Sequence, residues 1–342
     1  MGETIIHDAS NDGIDRRGLL KCMAWVGTGL VWAAEGGVLT SRVLGAVSGL
    51  DTAIAHRSGA ANGFSFAQIS DSHIGFSKEA NKDVVATLQV AVDKLNALPD
   101  RPDFVIHTGD LSHLSKPEEF DTLAQVLRSV KVGEIFYVPG EHDVINDDGK
   151  LYRERFAPRS RGDGWFSFDH EGVHFVGLVN VLRLKAGGLG SLGSEQLEWL
   201  ERDLKGLRGS TPVVVFAHVP LWTVYPEWGW GTDDSAQALG YLSRFGSVTV
   251  LNGHIHQVLQ KVEGNVAFHT ACSTAFPQPR PGTAPGPGPM KVPEGELRTL
   301  LGVRDVTFVP GRRALAVVDA SLAQPGWPQA AVASLGSAPV AR

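Results

Sequence analysis

Apolar and polar positions along the chain repeat with two periods. Five runs, FSFAQIS (64–70), DFVIH (103–107), EIFYV (134–138), PVVVFA (212–217) and VTVLN (248–252), are rich in β-branched and aromatic residues and predict strands. Between them the spacing changes. Val84, Leu88, Ala91, Leu95 and Leu98 recur at helical intervals within 81–98. Further helices are expected near 117–129, over EQLEWLERDLKGL with Ser194 as its N-cap, and near 235–244. Turn residues between apolar runs predict two hairpins. One joins WFSFD (165–169) to VHFVGLV (173–179) about His170-Glu171-Gly172, the other VLQKV (258–262) to VAFHTA (266–271) about Glu263-Gly264-Asn265. ALAVVDA (314–320) reads as a last strand. Strands alternate with helices first and antiparallel hairpins come later, an order that suggests two packed sheets with helices outside.

Several segments do not fit this pattern. Residues 221–234, LWTVYPEWGWGTDD, hold three of the eight tryptophans, and 276–294, FPQPRPGTAPGPGPMKVPE, cannot be regular. Each follows a segment with chemistry at its end, so each could wall a site. The plainer readings are a filler between sheets and a surface loop. Residues 322–342 are rich in Ala and Pro and read as a loosely held tail. Residues 41–62 are small and polar and read as a linker.

The N-terminus carries Arg16-Arg17, then the weakly apolar, Gly/Ala-rich stretch 22–40. This resembles a twin-arginine export signal and implies a periplasmic or extracytoplasmic protein that meets export machinery. The plainer reading is a basic N-terminus with a buried or membrane-associated helix, in a cytoplasmic protein. Glu35 interrupts the apolar run and argues against a stable spanning helix. Ala53-Ile54-Ala55 offers a small-x-small cleavage site. The expected division is 1–60 as signal and linker, 61–321 as the domain, and 322–342 as the tail. The 342 residues carry a net charge of −6, so extended nucleic acid is an unsuitable partner. Of the two cysteines, Cys22 falls in the signal and Cys272 is expected to be packed rather than nucleophilic. Oligomeric state is not readable.

The chemistry lies at the ends of the five runs: Asp71-Ser72-His73, Gly109-Asp110, Gly140-Glu141-His142-Asp143, His218, and Gly253-His254-Ile255-His256. Open α/β sheets place their sites at the carboxyl ends of strands, so these five ends are candidates to converge on one rim. Carboxylates and imidazoles together suit Mn, Fe, Zn or Co. In an extended segment residues i and i+2 point the same way, so Asp71/His73 and His254/His256 can each aim two side chains at one site. A two-metal centre needs a bridging carboxylate, for which Asp110 is the candidate.

In this order and at these strand ends, the five blocks resemble the calcineurin-like metallophosphoesterases, over about residues 64–275. SFDHEGVHFVGL and SEQLEWL are most similar to the branch containing cyclic-nucleotide phosphodiesterases. The resemblance implies a four-layer αββα sandwich of two mixed sheets with a dinuclear site at the strand C-terminal rim. It implies two divalent ions, one on Asp71, His73, Asp110 and His256, the other on Asp110, Glu141, His218 and His254. It further implies a metal-bridging hydroxide as nucleophile and His142 as general acid or phosphate-binding group. Asp143 is expected to orient an imidazole, and His113 either to support the ligands or to face solvent. His107, His170, His174 and His269 are expected to be structural or exposed. Asn180 either faces the site or bonds to a loop.

One position departs from the family. Glu141 stands where the family places Asn. Two divalent ions with Asp71 and Asp110 leave about +2, and Glu141 lowers this to about +1, which tightens metal binding and weakens attraction to an anionic phosphate. Glutamate is also one methylene longer, so it is free to swing aside or to bind bidentately. The reading is a metal-dependent phosphoesterase acting on phosphodiesters or small phosphomonoesters. The alternative is a weakly active or non-catalytic member of the fold that serves as a binding module. A protein-phosphatase role has no extended charged groove in the sequence to support it.

Overall fold

The computed structural model describes residues 30–35, 38–43, 63–293, 295–310, 315–323 and 327. Strands β1 (Leu30–Glu35) and β2 (Val38–Val43) pair antiparallel and lie in a unit separate from the main one, Arg57–Pro328. Residues 41–43, expected in a linker, therefore belong to a strand. Arg16, Arg17 and Ala53-Ile54-Ala55 lie outside the described residues. Among the described residues no helix is long and apolar enough to cross a membrane.

In the main unit, β3 (Phe64–Ile69), β4 (Phe104–His107) and β5 (Glu134–Tyr137) run parallel. β6 (Phe166–His170) pairs antiparallel to β7 (Val173–Gly177), which runs parallel to β8 (Val213–Phe216) and β9 (Val248–Asn252). β10 (Gln260–Glu263) and β11 (Val266–Thr270) form the late hairpin, with β11 parallel to β9. β12 (Gly302–Phe308) and β13 (Ala316–Ser321) close the chain, β12 antiparallel to both β3 and β13. Two mixed sheets result, ordered β13-β12-β3-β4-β5 and β10-β11-β9-β8-β7-β6.

Alternation sorts the side chains into layers. Phe64, Phe66, Phe104 and Ile106 meet Phe175, Val214 and Phe216 between the sheets. Their sequence neighbours Ala67, Ile69 and Val105 face outward onto helices α1 (Val84–Asn96) and α2 (Pro117–Leu127). A short helix, α3 (Lys150–Phe156), adds Tyr152 to this layer. On the far side Val176, Val213, Val215 and Val250 pack under α4 (Ser194–Lys205) and α5 (Ser235–Leu242) through Leu197, Leu200, Leu204, Ala238 and Leu242. The architecture is the expected αββα sandwich. Central strands buried on both faces read as continuous apolar runs, which is why the sequence exposed them.

Three expectations need correction. Gly193, not Ser194, caps α4, and the Asp234 carboxylate accepts from the Leu192 and Gly193 amides at that end. Strand β12 was not foreseen, although it sits beside β3. The tail begins later than 322: Leu322 is buried and Trp327 packs on the α1 side of the core, its Nε1–H donating to the Lys94 carbonyl at 3.0 Å.

Candidate metal centre

The ligand-bearing turns leave the strands in unusual backbone. Asp71, His73, Asp110, His254 and His256 all have positive φ, between 41° and 69°. Each such L-residue costs on the order of 1 kcal/mol or more and persists only where the surroundings over-determine it. Here the surroundings are hydrogen bonds between turns. Asp71 N donates to Gly109 O and His73 N to Asp110 O, which zips the first two turns together. His142 N donates to Asp110 Oδ1 at 3.0 Å, and His254 N to Asp71 Oδ1 at 3.0 Å. Gly140 has no room for a Cβ, which would collide with the Asp110 carboxylate and amide. The strained turns aim their side chains at one another.

Asp110 sits at the centre. Its Oδ2 lies 3.4 Å from His73 Nε2 and 3.3 Å from His218 Nε2. On one side His256 Nε2 is 3.3 Å from Asp71 Oδ1 and 3.3 Å from His73 Nε2. On the other, Glu141 approaches two imidazoles, Oε2 at 2.9 Å from His218 Nε2 and Oε1 at 2.9 Å from His254 Nδ1. Asp71, His73 and His256 form one set whose donor atoms lie within 4.8 Å of one another, and Glu141, His218 and His254 form a second. The structure thus brings together every residue singled out as a ligand, and His142 beside them in a set with Asp110 and Glu141.

Outer contacts decide which ring nitrogens are free. His218 Nδ1–H donates to Thr108 O at 2.7 Å and His256 Nδ1–H to Phe276 O at 2.6 Å, so Nε2 of each is the nitrogen turned to the cage. His142 Nδ1–H donates to His113 O at 2.7 Å. Charge follows the same arrangement. Burial pushes the Asp71 carboxyl up, but His256 and His218 outweigh it and hold the group at about 2. Burial likewise raises Glu141, and His254 and His218 bring it well below the usual carboxylate range. Burial depresses His218, yet Asp110 and Glu141 lift it well above an ordinary imidazole. Burial and the neighbouring His142, His256 and His113 hold His73 well below.

The donor set fits metal ions. Asp71 Oδ2 and His254 Nε2 are buried without a hydrogen-bond partner, and Glu141 Oε2, His218 Nε2 and His254 Nδ1, although in close ion-pair contacts, make no hydrogen bond either. Each such orphan costs about 1–3 kcal/mol unless something satisfies it. Orphaned carboxylate and imidazole atoms converging from four turns are what a pair of divalent cations satisfies.

The remaining expectations divide. Asp143 does not orient an imidazole. Its carboxylate accepts from Leu111 N, Ser112 N, Ser112 Oγ and Gly140 N at 2.8–3.0 Å, because the short 3-10 turn Glu141–Asp143 folds it back under Gly140. It ties the Asp110 turn to the Glu141 turn. His113 is half-buried: one side packs against His142 at 4.8 Å and His73 at 5.6 Å, so it does reach the ligands. His107 is structural, its Nε2 at 2.8 Å from Ser72 Oγ. Asn180 bonds to Val219 O and Thr232 Oγ1. The tryptophan stretch packs, but not between the sheets: Trp230 is fully buried and Trp222 lies in the layer under α4 and α5. The start of the Pro/Gly stretch does wall the site: Phe276 stacks on His73 at 4.7 Å, and Gln278 Nε2 donates to His254 O. Cys272 is a packed thiol, pushed up to about 12 by burial. Thr108 and Phe276, which fix the two histidines through backbone carbonyls, carry no residue-type signal that a sequence could show.

Two sheets whose parallel strands end at a convergent carboxylate–imidazole cage define the class of dinuclear metal-dependent hydrolases. The chain belongs to the calcineurin-like phosphoesterase family, whose profile matches residues 64–258. It is 27% identical over 218 residues to a 3′,5′-cyclic-nucleotide phosphodiesterase of Nostoc sp., covering 62% of this chain and 79% of that one. It is 34% identical over 139 residues to serine/threonine-protein phosphatase CPPED1 of Bos taurus, covering 38% of this chain and only 44% of that one. In fold it matches a dimetal phosphatase from Danio rerio with a TM-score of 0.54 at 16% identity, over 76% of this chain and 99% of that one. The protein is a metal-dependent phosphoesterase of this family.

Proposed function

We propose that the protein hydrolyses small phosphodiesters in preference to monoesters, at a site formed by Asp71, His73, Asp110 and His256 for one ion and Asp110, Glu141, His218 and His254 for the other. The observation that carries this reading is the single Asp110 Oδ2 lying at 3.3–3.4 Å from an imidazole of each set. Two divalent ions bound there supply an activated water and neutralise charge developing on the phosphoryl oxygens. The chain's own residues do the rest. Asp110 spans the two halves and is held by the His142 amide through its other oxygen. His142, anchored through Nδ1 to the His113 carbonyl, presents Nε2 for the leaving-group oxygen. Glu141 lowers the net charge of the cage by one, which favours a diester monoanion over a monoester dianion. The Nostoc relative's name supports the diester reading, and the bovine relative's name supports keeping phosphoproteins in the comparison.

The test is elemental analysis of purified protein together with turnover of bis(4-nitrophenyl) phosphate, 3′,5′-cyclic AMP, 4-nitrophenyl phosphate and a phosphoserine peptide in Mn²⁺. Diesters should turn over faster than monoesters, and His142→Ala should lower turnover about 10²–10⁴-fold with metal content unchanged. Protein that retains both ions yet turns over no ester would favour the binding-module reading.

We also propose export through the Arg16-Arg17 signal, with the catalytic domain folded around its metal beforehand. Fractionation of cells carrying Arg16→Lys with Arg17→Lys should find the protein retained in the cytoplasm; an unchanged distribution would sink the export reading.

A further inference from the structure

The cage does not account for His113. One ring nitrogen of each of His73, His113 and His142 lies within 4.8 Å of the others, a third donor set made only of imidazoles. His73 has two edges. Its Nε2 faces Asp110 at 3.4 Å and His256 at 3.3 Å, while its Nδ1 faces His113 Nδ1 at 3.5 Å. Two nitrogens each about 2.0–2.1 Å from a shared tetrahedral ion stand about 3.4 Å apart, which is close to this separation. His142 stacks on His113 at 4.8 Å with their planes 16° apart, and its bond to the His113 carbonyl keeps it there. Phe76 and Phe276 close the apolar side, Phe76 edge-on to His113 at 5.2 Å and Phe276 stacked on His73 at 4.7 Å.

We propose that His113, His142 and the Nδ1 edge of His73 form a third cation site, selective for Zn²⁺-like transition ions, whose filling inhibits the enzyme. This rests on the dinuclear reading above and adds a regulation of the same centre. Chemistry sets its selectivity. The two main sites contain carboxylates and accept Mn²⁺ as well as Zn²⁺, whereas three imidazoles without a carboxylate favour Zn²⁺, Co²⁺ or Ni²⁺ over Mn²⁺. With the main site filled through Nε2, binding at Nδ1 displaces the His73 ring proton to solvent and leaves a bridging imidazolate; that loss makes the third site the weakest, so it fills last. Its occupation takes the imidazole of His142 out of proton transfer, which is the route to inhibition.

The experiment loads the full chain with Mn²⁺ or with Zn²⁺ by equilibrium dialysis and counts bound metal per chain, for the natural protein, His113→Asn and His113→Gln. Cobalt loading followed by visible absorption reads the third site separately through the band intensity of a tetrahedral ion. The natural protein should hold one more equivalent of Zn²⁺ than of Mn²⁺, and both variants should lose that equivalent while keeping their Mn²⁺. Excess Zn²⁺ should lower turnover of the natural protein about 100-fold, and of the variants far less relative to each one's own Mn²⁺ rate. Equal Zn²⁺ and Mn²⁺ stoichiometry in the natural protein, or an extra Zn²⁺ that survives both substitutions, overturns the third site and leaves the dinuclear centre standing. Fewer than two Mn²⁺ per chain overturns the dinuclear reading and this proposal with it.

Discussion

At the residue scale, Glu141 and Asp143 show how much two side chains two positions apart can differ. Glutamate's extra methylene left open whether Glu141 swings aside. It does not: both oxygens are engaged, one with His218 and one with His254. The extra charge is therefore inside the cage. Glu141→Asn should raise turnover of a diester and loosen the ion held by His218 and His254; unchanged or lower turnover at full metal occupancy would count against the charge argument. Asp143 makes no such contact but accepts four hydrogen bonds from two ligand turns. An Asp143→Asn amide presents an NH₂ to those donors. We expect metal affinity to fall about 10–100-fold, as for other residues that orient ligands, with a lowered melting temperature. Calorimetric metal titration of that variant checks this, and affinity equal to that of the natural protein would refute the role.

At the element scale, β12 explains what the apolar pattern concealed. Its sequence, GVRDVTF, has charges at its centre and so does not read as a core strand. Arg304 is nevertheless fully buried. Its guanidinium pairs with Asp319 on β13 at 2.8–3.0 Å and donates to Gln68 Oε1 on β3 and Thr270 O on β11. A buried ion pair adds little net stability, but removing one partner strands the other charge. Asp319→Ala should cost about 3–5 kcal/mol in chemical denaturation. A loss below about 1 kcal/mol would mean that the Gln68 and Thr270 contacts suffice. Elements with a strict pattern were legible: α1 fell within 81–98 and ran over Val84–Asn96, and β9 matched its run to the residue, whereas β1 and β2 fell in stretches read as signal and linker. Short α3 was missed, since seven residues give too few turns for a period to show.

At the scale of the whole molecule, stability should track both metal and proton. The cage gathers carboxylates and imidazoles whose mutual crowding a cation relieves, so binding is folding free energy. Chelation with EDTA should lower the melting temperature and Mn²⁺ should restore it; each site held at 100 times its Kd adds about 3 kcal/mol. Protons act on other groups. Burial holds His107 and His269 at about 3, against an ordinary 6.5. Below 6.5 the unfolded chain binds these protons and the folded one does not, so stability falls as pH drops from 6.5 towards 3. At pH 5 each contributes a loss of about 2 kcal/mol. His174, bracketed by Asp169 and Asp203, works the other way: its value is raised, and its stabilisation fades as pH climbs through it. In urea unfolding of metal-free protein, the loss attributable to His269 should show as a change in stability from pH 7.5 to pH 5 that is about 2 kcal/mol more favourable in His269→Phe than in the natural protein. Equal loss in that variant would remove His269 from the account.

The order of ligand residues at strand ends, the alternation of strands with helices and the family resemblance were all present in the chain before any folding was known, because residue type and period are properties of sequence. So was the candidate bridge, Asp110. What only the folded chain decided were the partners. Thr108 O and Phe276 O select which nitrogen of His218 and His256 is free, Asp143 grips backbone rather than a ring, and His113 joins His73 and His142 in a set of its own. Most of these contacts join residues tens of positions apart or more, and a main-chain carbonyl looks the same at every position of a sequence until tertiary packing brings a side chain to it.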